Sequence, residues 1–289
     1  MITSRGRALL ERYALASTSL SRSTGERLAT EAGQSVDFHD FRPYQPGDEL
    51  RYVDWRVYAR TGRLYTRLYQ AERTVDLHIV LDTSRSMMLG GKSLYARMVA
   101  EILSFVALRD SKCQIHLFSG ESSQPAYGLT GITPAWAFIE AAPVVEGAAP
   151  TPIDALKEFA LGMPPTQGAT LVLIISDLFD EGPLQPALAA LRARGLDAGF
   201  LQVMAEEDLN PDEGQLEVVD LETGARLFVG PEEVIAYRQS VQTFVRHTRG
   251  AILQAGFRHS LLGATEGGGE MLEQRAFSAL VREGILQKR

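Results

Sequence analysis

A single cysteine, Cys113, stands in a chain of 289 residues. One thiol excludes an intramolecular disulfide and any thiolate metal cluster. Its setting, Lys112–Cys113–Gln114–Ile115–His116–Leu117–Phe118, reads as a strand in which Cys113 is a small buried hydrophobe. Long hydrophobic runs are missing as well. No apolar stretch approaches the ~20 residues that span a bilayer, and no signal-peptide core follows Met1. The expectation is a soluble, cytoplasmic protein with no membrane span.

Lysine is absent from residues 1–74, which carry 12 Arg against 9 acids, while the remainder carries 17 bases against 27 acids. A basic segment without lysine makes a poor nucleic-acid arm, whereas Arg alone suits bidentate pairing with carboxylates. With an acidic remainder and a net charge of −7, no nucleic-acid partner is expected. The five histidines, His39, His78, His116, His247 and His259, are scattered. There is no H-E-x-x-H, no serine–histidine dyad and no cysteine nucleophile, so the chain is not expected to be an enzyme.

What is present is concentrated in Leu77–His78–Ile79–Val80–Leu81–Asp82–Thr83–Ser84–Arg85–Ser86–Met87. A short apolar run reads as a buried strand, and it ends abruptly in D-x-S-x-S. In open α/β sheets ligands bind at the carboxyl ends of strands. A carboxylate with two hydroxyls is a hard-oxygen set, suited to Mg²⁺, Ca²⁺ or Mn²⁺ and not to zinc or copper. The competing reading is local: Ser84 and Ser86 cap the next helix, and Asp82 accepts backbone amides.

The remaining text divides into three parts. Residues 1–74 read as a helix over Ala8–Ala16, a Ser/Thr-rich linker, and a small β-rich unit with turns at Pro46–Gly47–Asp48 and Thr61–Gly62–Arg63 and a strand over Leu64–Tyr69. Within that unit Arg42, Asp48, Arg51, Asp54, Arg56 and Arg60 alternate with Tyr44, Tyr52, Trp55 and Tyr58, a pattern expected to fasten the unit to its neighbour. Residues 75–205 alternate strand and helix: strands over Asp76–Leu81, Gln114–Phe118, Thr170–Ser176 and Leu196–Val203, and helices over Ser93–Arg109, Pro134–Ala142, Pro152–Gly162 and Leu184–Arg194. That alternation predicts an α/β fold with a doubly wound, mostly parallel sheet, in which Leu77–Leu81 and Leu171–Ser176 are adjacent central strands. Residues 206–289 read as a hairpin (Leu216–Val219 and Arg226–Val229), a long helix Pro231–Gln254, an edge strand Phe257–Leu262 and a closing helix Glu270–Glu283, packed on the same domain.

The segment Asp82–Met87 resembles the metal-ion-dependent adhesion site of von Willebrand factor A domains. Pro150–Thr151–Pro152–Ile153–Asp154–Ala155–Leu156 resembles that family's threonine loop, and Leu171–Asp177 its strand ending in the last acid. Val36–Asp37–Phe38–His39–Asp40–Phe41–Arg42–Pro43–Tyr44–Gln45–Pro46–Gly47–Asp48, continuing through Trp55 to Gly62, resembles the hallmark block of the DUF58 family. Asp37 stands where a Glu is more usual, and the membrane-spanning helices common at the start of relatives are not seen here. The resemblance implies a Rossmann-type, von Willebrand A-like domain and a metal site made of Asp82, Ser84, Ser86, Thr151 and Asp177. It also implies a protein partner that offers an acidic residue, and association with a MoxR-type AAA+ ATPase in maturing or remodelling other complexes.

Two other readings share these letters. Ser86–Met87–Met88–Leu89–Gly90–Gly91–Lys92–Ser93 misses the phosphate-binding loop G-x-x-x-x-G-K-[ST] only at its leading glycine, which would make the chain a P-loop-like nucleotide hydrolase. In that case Ser86 obstructs the curl of backbone around phosphate, and Asp82 sets a carboxylate against a polyphosphate. The plain reading of Lys92–Ser93 is a solvated helix start. The other reading is a scaffold with a vestigial metal site.

Overall fold

The computed structural model describes residues 2–16, 38–69, 76–143, 151–164, 170–180, 182–211, 216–219, 226–264 and 267–289. In chain order its elements begin with α1 (Ser4–Leu10), β1 (Tyr13–Leu15), β2 (Phe38–Pro43), α2 (Trp55–Thr61), β3 (Tyr65–Tyr69), β4 (Asp76–Leu81) and α3 (Lys92–Leu108). Next come β5 (Lys112–Leu117), β6 (Ala126–Tyr127), α4 (Ile132–Ala141), α5 (Pro152–Gly162), β7 (Thr170–Ser176) and α6 (Gln185–Ala193). The chain continues through β8 (Asp197–Ala205), α7 (Glu206–Leu209), β9 (Leu216–Val219), β10 (Arg226–Val229) and α8 (Pro231–Gln254). It closes with β11 (Arg258–Ala264), α9 (Gly269–Arg282) and β12 (Leu286–Lys288). Two units result: Met1–Ser17 with Val75–Arg289, and Thr18–Thr74.

The larger unit is built on a six-stranded sheet of order β11-β8-β7-β4-β5-β6, parallel except for the short pair β5–β6. Alternate residues of β4 and β7 divide between two cores. Leu77, Ile79, Leu81, Leu171, Leu173 and Ile175 face a core filled by α3, α4 and α9. Val80, Val172 and Ile174 face another filled by α5, α6 and residues of α8. A strand covered on both faces has no solvated side, and so its sequence is apolar at successive positions. The expected adjacency of these two strands holds, with Leu81 opposite Ile175 in parallel register. Prolines at the first turn open α5, α6 and α8, where the missing N–H is one the helix would leave unbonded.

The amino-terminal helix lies earlier than its sequence pattern suggests. It spans Ser4–Leu10 in place of Ala8–Ala16, because the Thr3 hydroxyl caps it by accepting from Gly6 N at 3.1 Å. Tyr13–Leu15 then pairs antiparallel with Leu286–Lys288, so this segment belongs with the α/β unit and not with the block that follows it in sequence. Thr3 N also donates to the buried carboxylate of Glu273 at 2.8 Å, tying α1 to α9.

The smaller unit pairs β2 with β3, with a bulge between Phe38 and Asp40. Between them lies a helix, α2, which the β-rich reading of this unit does not include. Asp54 nucleates it, accepting from Arg56 N at 2.9 Å and Val57 N at 3.1 Å, and Gly62 ends it at φ +67°. Asp48 accepts from Arg42 at 2.5 Å and from Thr66 Oγ1 at 3.0 Å, so part of the Arg/Asp pattern is spent inside the unit. Trp55 and Tyr58 are exposed. Val36, Asp37, the Ser/Thr-rich linker and Glu222–Gly224 lie outside the described residues.

Candidate metal centre at the sheet end

Leaving the sheet, β4 and β7 bring two buried carboxylates together, Asp82 and Asp177. Asp82 Oδ1 accepts from Ser84 N at 2.8 Å, and its Oδ2 accepts from Ser176 Oγ at 2.5 Å. The hydroxyls continue the chain: Ser84 Oγ and Ser86 Oγ are 3.0 Å apart, and Ser86 Oγ donates to Asp177 Oδ1 at 3.2 Å. Burial, with the facing charge of Asp177 second, pushes the Asp82 carboxyl up to about 7. Directly after Asp177, Leu178 adopts φ +58°, a left-handed conformation costly for a residue other than glycine. The turn is held because Leu178 N donates to Ser176 Oγ at 2.8 Å.

Four of the five expected ligands, Asp82, Ser84, Ser86 and Asp177, are thus joined in one hydrogen-bonded cluster. Thr151 is not part of that chain of bonds. Its hydroxyl caps α5 by accepting from Asp154 N at 3.3 Å. The same helix start is tied to the loop after β7, since Ile153 N donates to Asp180 Oδ2 at 3.0 Å. Pro150, which precedes Thr151, lies outside the described residues.

Lys92 departs from its plain reading. It is buried, not a solvated helix start, with its ammonium on Asp177 Oδ2 at 2.8 Å and Asp208 Oδ2 at 2.9 Å. An ammonium fixed between two carboxylates inside the protein is not disposed as a phosphate-binding lysine. The preceding segment Arg85–Gly91 is a kinked 3₁₀ run in which Gly90 and Gly91 take positive φ. Residues overlooked in the sequence also complete the site: Ser176, which bridges Asp82 and Leu178; Asp208, on α7; and Gln202, whose Nε2 donates to the Asp177 carbonyl at 3.0 Å.

The residues fit a hard cation in donor type and spacing. Adjacent ligands around an octahedral Mg²⁺ lie ~3 Å apart, given Mg–O distances of ~2.1 Å. The Ser84–Ser86 and Ser86–Asp177 oxygens, hydrogen-bonded at 3.0 and 3.2 Å, could exchange those bonds for such an edge with little movement. Thr83 Oγ1, in the loop between Asp82 and Ser84, and Ser119 Oγ, just beyond β5, are buried with no hydrogen-bond partner among the described residues. No group of three or more His, Cys, Asp or Glu side chains suited to a metal occurs among the described residues.

Among the described residues no helix is long and apolar enough to cross a membrane. Uncharacterized proteins of Mycobacterium tuberculosis and Mycobacterium bovis are each 26% identical to this chain over 213 residues, covering 69% of it and 65% of their own length. The match thus spans just under two thirds of those relatives. Solved structures with some likeness include an aerotolerance-related membrane protein from Bacteroides fragilis, at 16% identity and a TM-score of 0.43 over 72% of this chain and 98% of that one. Another is the PilB minor pilin from Streptococcus sanguinis, at 15% identity and a TM-score of 0.37 over 77% of this chain and 65% of that one. At those scores the likeness carries no argument. A family model, that of the protein of unknown function DUF58, matches residues 40–251, through the β2–β3 unit and most of the α/β unit, and to that family the chain belongs.

Proposed function

We propose that this chain is a non-enzymatic, metal-dependent protein-binding module. Ser84 and Ser86 would hold Mg²⁺, or another hard dication such as Ca²⁺ or Mn²⁺, while Asp82 and Asp177 bind it directly or through water, with Thr151 at the rim. When bound, the ion supplies a Lewis-acidic position that attracts a carboxylate from a partner protein. The observation that carries this reading is the hydroxyl chain between two buried acids at the end of adjacent central strands. Burial first, and the Asp177 charge across the chain second, raise the Asp82 carboxyl, and a dication between the two acids would relieve their repulsion.

The arrangement supports a von Willebrand A-like assignment for residues 75–205, with residues 206–289 as its extension. Resemblance adds a MoxR-type AAA+ ATPase as the partner, and the cytoplasm is proposed as the place of action. The test is melting temperature in EDTA and in Mg²⁺. Wild type is expected to gain stability from Mg²⁺, and Asp82→Ala is expected to gain none. Equal gains in both proteins would remove Asp82 from the ligand set and the reading with it.

A further inference from the structure

Lys92 is the charge that this reading leaves unused. Its side chain is 1% exposed and makes contact pairs with Asp177 and Asp208, while its ammonium lies 5.0 Å from the centre of the Phe179 ring. Burying an ammonium is costly unless good partners surround it, and here each partner is itself fixed. Asp177 Oδ1 accepts from Ser86 Oγ and from Phe179 N at 3.1 Å, and Asp208 Oδ2 accepts from Ala205 N at 3.0 Å. Three places in the chain, the first residue of α3, the turn after β7, and α7, therefore meet at one positive charge. Asp177 faces the serine hydroxyls with one oxygen and spends the other on that charge.

We propose that Lys92 is a resident counter-ion: it holds the sheet end together without a divalent cation, and it weakens the hold on any dication that binds beside it, keeping the cation exchangeable. This rests on the metal-binding reading above. With Lys92 in place, part of the Asp177 charge is already balanced on its far oxygen. Without it, Asp177 and Asp208 become unpaired buried acids whose repulsion a dication would relieve.

The variant Lys92→Met keeps the long apolar stem and removes the charge. Melting in EDTA and in Mg²⁺ at matched ionic strength, with titration of Mg²⁺ by calorimetry, reads the result. Lys92→Met is expected to melt below wild type in EDTA, to gain more from Mg²⁺ than wild type does, and to bind it roughly tenfold more tightly. A gain no larger than that of wild type overturns the proposal. The wild-type curves judge the underlying reading separately: no gain there sinks metal binding by the native site, while a gain confined to Lys92→Met still identifies the lysine as the standing cation. Should Lys92→Met fail to fold, Lys92→Met/Asp208→Asn removes one of the unpaired acids and leaves Asp177 without its ammonium. Its Mg²⁺ gain is again expected to exceed that of wild type, and an equal or smaller gain overturns the proposal.

Discussion

Ser176 Oγ lies 2.5 Å from Asp82 Oδ2, bonding the last residue of one central strand to the first residue beyond its neighbour. The same oxygen accepts from Leu178 N and so holds the left-handed turn that aims Asp177. Ser176→Ala is expected to cost about 1–3 kcal/mol in urea unfolding, since a buried amide and a buried carboxylate oxygen both lose their partner. It should also raise the Asp82 carboxyl further, because this hydrogen bond is one of the influences lowering it. Unchanged stability would mean that other groups rescue both atoms.

A second prediction concerns the histidine pair on β4 and β5. His78 Nδ1 and His116 Nε2 are 2.9 Å apart, and His116 Nδ1 lies 2.8 Å from Ser122 Oγ. Phe159 packs edge-on against the His116 ring, and Asp76 is the acid that acts on His78. Burial, then the neighbouring His78, lowers His116 to about 4. The unfolded chain therefore binds the extra proton between pH 6.5 and 4 while the folded chain resists it. The contribution to stability is complete above the ordinary histidine value and is lost as pH falls toward 4, by up to about 3 kcal/mol. His116→Asn should flatten the dependence of the urea midpoint on pH across that window. A slope equal to that of wild type would assign the acid sensitivity to other groups.

Gly90 tests how closely the loop after β4 must approach its support. At φ +56° it sits so near α7 that an added Cβ would lie 2.2 Å from Ala205 Cβ and 2.8 Å from Glu207 Oε2. Gly90→Ala is expected to destabilise by about 1–3 kcal/mol, through backbone strain and overlap together. Hydrogen exchange should show the loss concentrated in residues 84–91 and 205–209. A global loss with no local opening would locate the strain elsewhere.

Much of this architecture can be read from local pattern. Leu77–Leu81 and Leu171–Ser176 are apolar at successive positions because both faces of each strand are covered, and that same density marks them as central. The D-x-S-x-S spacing locates Asp82, Ser84 and Ser86 because those residues sit together in one short turn. Lys92 escaped because its meaning depends on Asp177, 85 residues away, and on Asp208, more distant still. Followed by Ser93 and preceded by two glycines, it imitates a solvated helix start or a phosphate loop. Thr151 is expected as a ligand by resemblance alone, and its hydroxyl also caps α5, a role the following Pro152 could have signalled. The pairing of Tyr13–Leu15 with Leu286–Lys288 joins three-residue strands, too short to carry a period that pattern could detect.

The buried amide of Gln202 has a consequence for spectroscopy. Its Nε2 donates to the Asp177 carbonyl, so its Oε1 must face His259 Nε2, 2.9 Å away on the edge strand. A carboxamide oxygen only accepts, and the ring must therefore carry its proton on Nε2. With burial lowering His259 to about 4, the imidazole stays neutral and in one tautomer at ordinary pH. Its ring nitrogens thus form a fixed two-line signature in ¹⁵N NMR, coupled through a single side chain to Asp177. The molecule carries its own probe, two strands across the sheet, of changes at Asp177.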